Sequence, residues 1–278
     1  MSGDVTRASD GALAVNAVAT ATTKQLAWRV ATPVIAVIAL LLIWQAVVAF
    51  LHVNPVFLPA PSRVLGRLGA ELASGSFIAD MFYTLGEAAL GCLVGAGIAL
   101  PIGYAVASWR LVGAALTPLI AGSQAIPAVA IAPLLALWAG YGLAAKVSLC
   151  ALMVFFPMLL NTVLGLRQVD HRLVDAAQLD GAHAWSLLWH IQAPLAWRSI
   201  LTGLRGGFTL SITGAVVGEY VIGGSRGLGR VVAVQTNMND TTGLFATVLT
   251  LCLLAIAVYA AMVWLEAVTD PTRERTIR

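Results

Sequence analysis

The sequence predicts an all-α polytopic membrane protein with six transmembrane helices, and three observations carry that expectation. Of 278 residues, 59% are hydrophobic and only 10% charged, whereas a soluble domain carries roughly 25% charged residues. Mean hydropathy is +0.88, which sets aside a water-soluble enzyme and a disordered chain. The apolar stretches are continuous, not alternating, which argues against a membrane β-barrel. The net charge of +3 comes largely from arginines between apolar runs. No basic face interleaved with aromatics is present, so nucleic acid is not an expected partner.

Residues 1–29 are polar, rich in Ala and Thr, and lack the layout of a cleavable signal, which predicts a disordered cytoplasmic tail. Residues 30–51 contain no charge and at about 1.5 Å per residue reach roughly 33 Å, enough to cross the hydrocarbon core. Pro55, Pro59 and Pro61 break the chain. Ser62 can then cap a short helix through Glu71, with Val64, Leu65, Leu68 and Leu72 on one face suited to the membrane surface. Further spans are expected at 82–108, 111–139, 144–166, 200–222 and 243–268, within a transmembrane domain of 30–268 followed by a cytoplasmic tail, 269–278. Pro101, Pro118, Pro127, Pro133 and Pro157 fall inside these spans. Such prolines require neighbouring helices or water to satisfy the freed carbonyls, so spans two to five form the packed interior and span one lies at the periphery.

Counting Lys and Arg gives the orientation. With the N-terminus inside, Arg7, Lys24, Arg29, Arg110, Arg167, Arg172, Arg198, Arg273, Arg275 and Arg278 share the cytoplasmic side. Arg63, Arg67, Lys146, Arg226 and Arg230 face the other side. This bias places both termini and the long segment 167–199 inside. Cys92, Cys150 and Cys252 each lie in an apolar run without CxxC spacing and read as small buried hydrophobes.

The segment 167–199 is long enough to require a purpose. Two short helical stretches meet at Gly181, where the missing Cβ permits a sharp turn. Trp185, Leu188 and Trp189 then follow at i, i+3 and i+4 on one helical face. Two readings stand at this point: aromatic anchors that dock into a partner's groove, or tryptophans seated in the headgroup layer.

Asp175-Ala176-Ala177, three residues, Gly181, nine residues, Ile191-Gln192-Ala193-Pro194 resembles the EAA loop of binding-protein-dependent ABC importer permeases. Asp175 stands where that pattern has Glu, and Ala193 where it has Leu. Ile126-Pro127, Ile131-Ala132-Pro133, Phe155-Phe156-Pro157, Gly203-Leu204-Arg205, Glu219 and Gly227-Leu228-Gly229 extend the resemblance over roughly residues 60–266. They look like the nitrate/sulfonate/taurine-type branch, from which Glu87 is a departure.

The resemblance implies a homodimer enclosing a translocation pathway, in the plasma (inner) membrane of a bacterium. It also implies two ATP-binding-cassette ATPase subunits, which carry ATP and Mg, and an extracytoplasmic solute-binding protein. Asp175, Ala176, Ala177, Gly181, Ala182, Trp185, Leu188, Trp189 and Pro194 would form the ATPase-coupling surface. The implied solutes are sulfonate-, taurine- or nitrate-like anions, with a thiamine-precursor pyrimidine or another small heterocycle as the alternative.

The remaining polar groups leave alternatives open. Gly223–Gly229 is glycine-dense but follows a membrane span, not a strand, and no P-loop pattern occurs, so ATP hydrolysis and cofactor binding are not expected of this chain. Ser123, Gln124 and Pro127 would line a water-filled pathway or simply kink a helix. Glu219 would support a pathway or gate, or make a packing hydrogen bond, and Arg205 would line the interior or snorkel. His52, His171, His183 and His190 show no metal-ligand spacing. From other classes, a secondary transporter would show two similar halves, and a membrane-embedded enzyme a polar cluster at one depth; neither pattern is evident.

Overall fold

The computed structural model describes residues 35–109 and 127–269, with the isolated positions 32, 113, 115, 118 and 122. The expected tail 1–29, nearly all of the tail 269–278, and much of the span 111–139, including Ser123 and Gln124, lie outside the described residues. Helices make up the regular structure of the described residues. The chain divides into two compact units, one ending at Gly66 and the other beginning at Arg67.

The first unit contains α1 (Ile35–Phe50), an apolar helix from the first expected span. In α2 (Pro61–Ala73) proline occupies the first position, where its missing N–H would have no helical partner. The second half of α2 belongs to the second unit. There Leu68 is buried and Leu72 exposed, so the apolar stripe is divided between core and surface.

α3 (Gly75–Ser108) begins seven residues before the expected start at 82. Ser74 explains the difference: its hydroxyl accepts from the Phe77 amide and donates to the Glu71 carbonyl at 2.7 Å, an N-cap. Polar Ser76 and Asp80 lower the hydropathy of the first two turns without breaking the helix. α4 (Ala128–Ala139) starts after Pro127 and ends at Gly140, and α5 (Leu143–Arg167) follows. Beyond α5 come α6 (His171–Leu179), the single turn α7 (Ala184–Leu187) and a π-helical turn, Leu188–Gln192. α8 (Ala193–Val221), α9 (Leu228–Asn237) and α10 (Thr241–Thr269) complete the described chain.

Among the described residues, four helices are long and apolar enough to cross a membrane: α3, α5, the continuous helix Trp185–Val221, and α10. The fifth expected span therefore starts well before residue 200. Pro194 lies within this continuous helix. It lacks the N–H that would bond the His190 carbonyl, and the widened π turn immediately before it accommodates the ring.

α5 is packed between glycine faces of α3 and α8. A methyl at Gly91 would overlap Cys150 Cβ, and one at Gly95 would lie 2.5 Å from the Ala151 carbonyl oxygen. On α8, Gly203 faces Asn161, Gly207 faces Val154 and Gly214 faces Cys150. Small residues at four-residue spacing let helix backbones approach closely where no hydrophobic driving force acts between helices in lipid. Cys92, Ala96, Ala99, Val106, Val154, Met158, Leu159 and Val163 fill the α3–α5 seam.

These contacts fix the directions. Along α3 and α5 the partners advance together, from Glu87 with Lys146 to Gly103 with Thr162, so the two helices run parallel. Along α5 and α8 they advance oppositely, from Gly203 with Asn161 to Gly218 with Lys146, so these run antiparallel. Cys92 and Cys150 are buried as expected, whereas Cys252 on α10 is exposed, which corrects the reading of it as a buried hydrophobe.

Candidate functional site: a capped turn at one end and a buried polar network at the other

The segment expected to contact a partner sits at the end of the bundle where α3 and α5 finish. Asp170 caps α6, its carboxylate accepting from the Arg172 amide at 2.9 Å. The helix ends in a Schellman turn: the Ala182 amide donates to the Ala177 carbonyl at 2.9 Å and the Gly181 amide to Gln178 at 3.0 Å. Gly181 has φ +88°, and a Cβ there would meet nothing within 4 Å. Glycine is thus required by backbone conformation, not by crowding within the chain.

Asp175, Ala176, Gly181 and Pro194 are exposed, and Ala177, Ala182 and Leu188 half-buried. Trp185 and Trp189 are 70% and 57% exposed and pack edge to face with ring centroids 5.8 Å apart. The neighbouring Leu187 is the residue that turns inward, at 6% exposure. His183 and His190 are exposed; His190 Nδ1 lies 3.0 Å from the Ser186 carbonyl oxygen. An aromatic-tipped turn thus runs directly into α8. Beside it, a cavity of about 340 Å³ is lined by residues including Tyr104, Arg167, His171 and Gln178.

The opposite end carries a polar network. Lys146 and Glu87, with side chains 3% and 1% exposed, form an ion pair at 3.0 Å. The Lys146 ammonium also lies 5.3 Å from the centre of the Tyr83 ring. Although counted among the outer charges, Lys146 is therefore a buried residue. Glu219 is 1% exposed. Its Oε1 accepts from the Thr84 hydroxyl at 2.8 Å, and its Oε2 from the Gly229 amide at 2.6 Å. Thr84 Oγ1 accepts from the Leu228 amide at 2.8 Å, and Asp80 Oδ1 from the Gly227 amide at 2.9 Å. The Ser211 hydroxyl donates to the Ala88 carbonyl at 2.7 Å, adding a further α8–α3 tie.

The far end of α9 is held as well. Gln235 donates to Glu71 at 2.9 Å and accepts from the Thr247 hydroxyl at 2.9 Å. Arg67 bridges Glu71 and Asp240. Burial pushes the Glu71 carboxyl above the usual carboxylate range, against the opposing pull of Arg67.

Of the residues considered for a pathway, Pro127 precedes α4 and is exposed, and Glu219 has its carboxylate engaged by Thr84 and the first turn of α9. Arg205 pairs with Glu266 at 3.0 Å and stacks over Tyr259. The sequence reading missed the Lys146–Glu87 pair and the capping of α9. Their signal was Asp80, Tyr83, Thr84 and Glu87, a polar stripe at i, i+3, i+4 and i+7 on an otherwise apolar helix.

A bundle of long apolar helices, close-packed through glycine, with an aromatic turn projecting from one end, is the architecture of a multi-pass membrane protein. The chain belongs to the family described as binding-protein-dependent transport system inner membrane component, which its residues 97–271 match, and is the permease subunit of an ABC importer. It is 38% identical to the riboflavin transport system permease protein RibX of Chloroflexus aurantiacus, over 82% of this chain and 84% of that one. The formylaminopyrimidine transport permease protein ThiX of Halalkalibacterium halodurans is 30% identical, over 87% and 96%. The taurine transport system permease protein TauC of Escherichia coli is 30% identical, over 69% and 72%. These relatives are transport permeases, and the family sets aside the secondary-transporter and membrane-enzyme readings.

Proposed function

We propose that this chain forms one half of a six-span, two-copy translocation pathway in the bacterial inner membrane, driven by two separate ATPase subunits that bind ATP and Mg. An extracytoplasmic binding protein delivers the solute. The observation that carries the reading is the Schellman-capped Gly181 turn, which presents exposed Trp185 and Trp189 at the start of a continuous helix reaching Val221. Asp175, Ala176, Ala177, Gly181, Ala182, Trp185, Leu188, Trp189 and Pro194 form the coupling surface. Force applied there by a closing ATPase pair passes into α8 without an intervening flexible loop. Coupling of this kind requires contacts that differ between two states of the complex.

The parallel course of α3 and α5 supports six spans, because residues 109–142 must bring the chain back across the membrane. The coupling turn faces the cytoplasm with both termini, and Ser123, Gln124 and Pro127 line the pathway in that returning span. The relatives' names support two solute classes. One is small heterocycles, as for riboflavin and formylaminopyrimidine; the other is small organic anions, as for taurine.

Purification of the tagged chain in mild detergent, followed by intact-complex mass, tests the assembly. Two copies with two ATPase subunits are expected. Recovery of this chain alone or only with itself would overturn the reading. Uptake of labelled riboflavin, formylaminopyrimidine and taurine by cells expressing the complex then separates the solute classes.

A further inference from the structure

Helix N-termini are ordinarily capped by the residue immediately before them. α9 is different. Its preceding residue is Gly227, with φ +111° and no side chain to offer. The three leading amides are instead taken by side chains from two membrane-crossing helices: Gly227 by Asp80, Leu228 by Thr84 and Gly229 by Glu219. The fit leaves no space for substitution at either glycine. A Cβ on Gly227 would overlap the Glu219 carboxylate, and one on Gly229 would overlap the Val216 carbonyl oxygen. The far end of α9 is fastened by Gln235 to Glu71 and Thr247.

We infer that Glu219, with Thr84 and Asp80, is a positioning residue of the transport machinery: it clamps the outer helix α9 to α3 and α8 so that the three travel as one body. The inference rests on the importer reading for its role in transport, though the clamp itself is a property of this chain. A Glu219 carboxylate accepts at both oxygens, whereas a glutamine has one accepting oxygen and cannot accept from both the Thr84 hydroxyl and the Gly229 amide. Motion between inward- and outward-open states then falls at the junctions of this body with its neighbours, not within residues 222–240.

Hydrogen exchange of the complex in nanodiscs, read by mass spectrometry with and without ATP–vanadate trapping, tests the clamp. In the wild type, amides 227–229 should be equally protected in both states. Glu219→Gln and Thr84→Val should speed their exchange about tenfold or more, leave α5 peptides unchanged, and lower ATP-driven uptake of whichever labelled solute the wild type takes. Thr84→Ser, which keeps the hydroxyl, should restore both readouts. Where Thr84→Val does not fold, Asp80→Ala against Asp80→Asn makes the same comparison at the Gly227 amide. Wild-type exchange in Glu219→Gln and Thr84→Val, or loss of protection on trapping, would overturn the inference. Absence of an ATPase from the purified complex would instead defeat the importer reading, and exchange on the chain itself would still decide the clamp.

Discussion

Lys146 and Glu87 form a buried ion pair in which loss of one charged group leaves the other without its partner. Replacing Lys146 by Met removes the ammonium and leaves a carboxylate that is 1% exposed without its cation. Breaking a buried pair from one side costs about 3–5 kcal/mol, whereas replacing both partners by apolar groups is often near neutral. Lys146→Met should therefore lower the Tm of the purified complex far more than the double variant Lys146→Met/Glu87→Leu. Equal losses would mean that the pair contributes only volume. Gly181 poses a different question, since its Cβ direction is open and only its φ is special. Gly181→Ala should cost about 1 kcal/mol of left-handed strain and retain partial transport. On the proposed coupling role, Gly181→Trp should abolish transport while membrane insertion stays normal, because within the chain a Cβ at Gly181 meets nothing within 4 Å. Equal impairment by Ala and Trp would assign the whole effect to the backbone.

At the scale of elements, α5 depends on glycine on both flanks, and the aromatic turn lies just before α8. Gly95→Leu would drive a side chain into the Ala151 carbonyl and the Val154 side chain. It should destabilise the α3–α5 pair by several kcal/mol, read as loss of folded complex on size exclusion. Leucine at Gly97, which has nothing within 4 Å, is the control and should behave as wild type. Trp185→Ala and Trp189→Ala should reduce ATPase retention during purification without reducing insertion; unchanged retention would favour anchoring in headgroups. Much of this was legible in the sequence. Hydropathy marked the long helices, and the spacing around Gly181 marked the turn, because both are local properties. The start of α3 was placed late because a cap and a polar first turn dilute an apolar window. The network around Glu219 was missed because Glu219 and Thr84 are far apart in sequence, and only the antiparallel packing of α8 on α3 brings them together.

For the whole molecule, topology follows from helix directions independently of any charge count. α3 and α5 are parallel, α8 is antiparallel to both, and α8 at 29 residues is about 43 Å long, so its two ends emerge on opposite faces of a membrane. Trp109 and Leu179 then belong to one face, at the ends of α3 and α6, and Tyr141 and Met238 to the other. All four are more than 60% exposed, which makes them suitable sites for single cysteines. The exposed native thiol of Cys252 must first be replaced by Ser, while Cys92 and Cys150 are buried and can remain. In intact cells with the outer barrier opened, a membrane-impermeant maleimide should label Tyr141→Cys and Met238→Cys at once. Trp109→Cys and Leu179→Cys should react only after the inner membrane is breached. Labelling of positions 109 and 141 from the same face would remove the crossing between them and reduce the six proposed spans to five. Reversal of both pairs would keep the fold but turn the coupling segment away from the compartment that supplies ATP, and an importer driven from the cytoplasm could not work in that orientation.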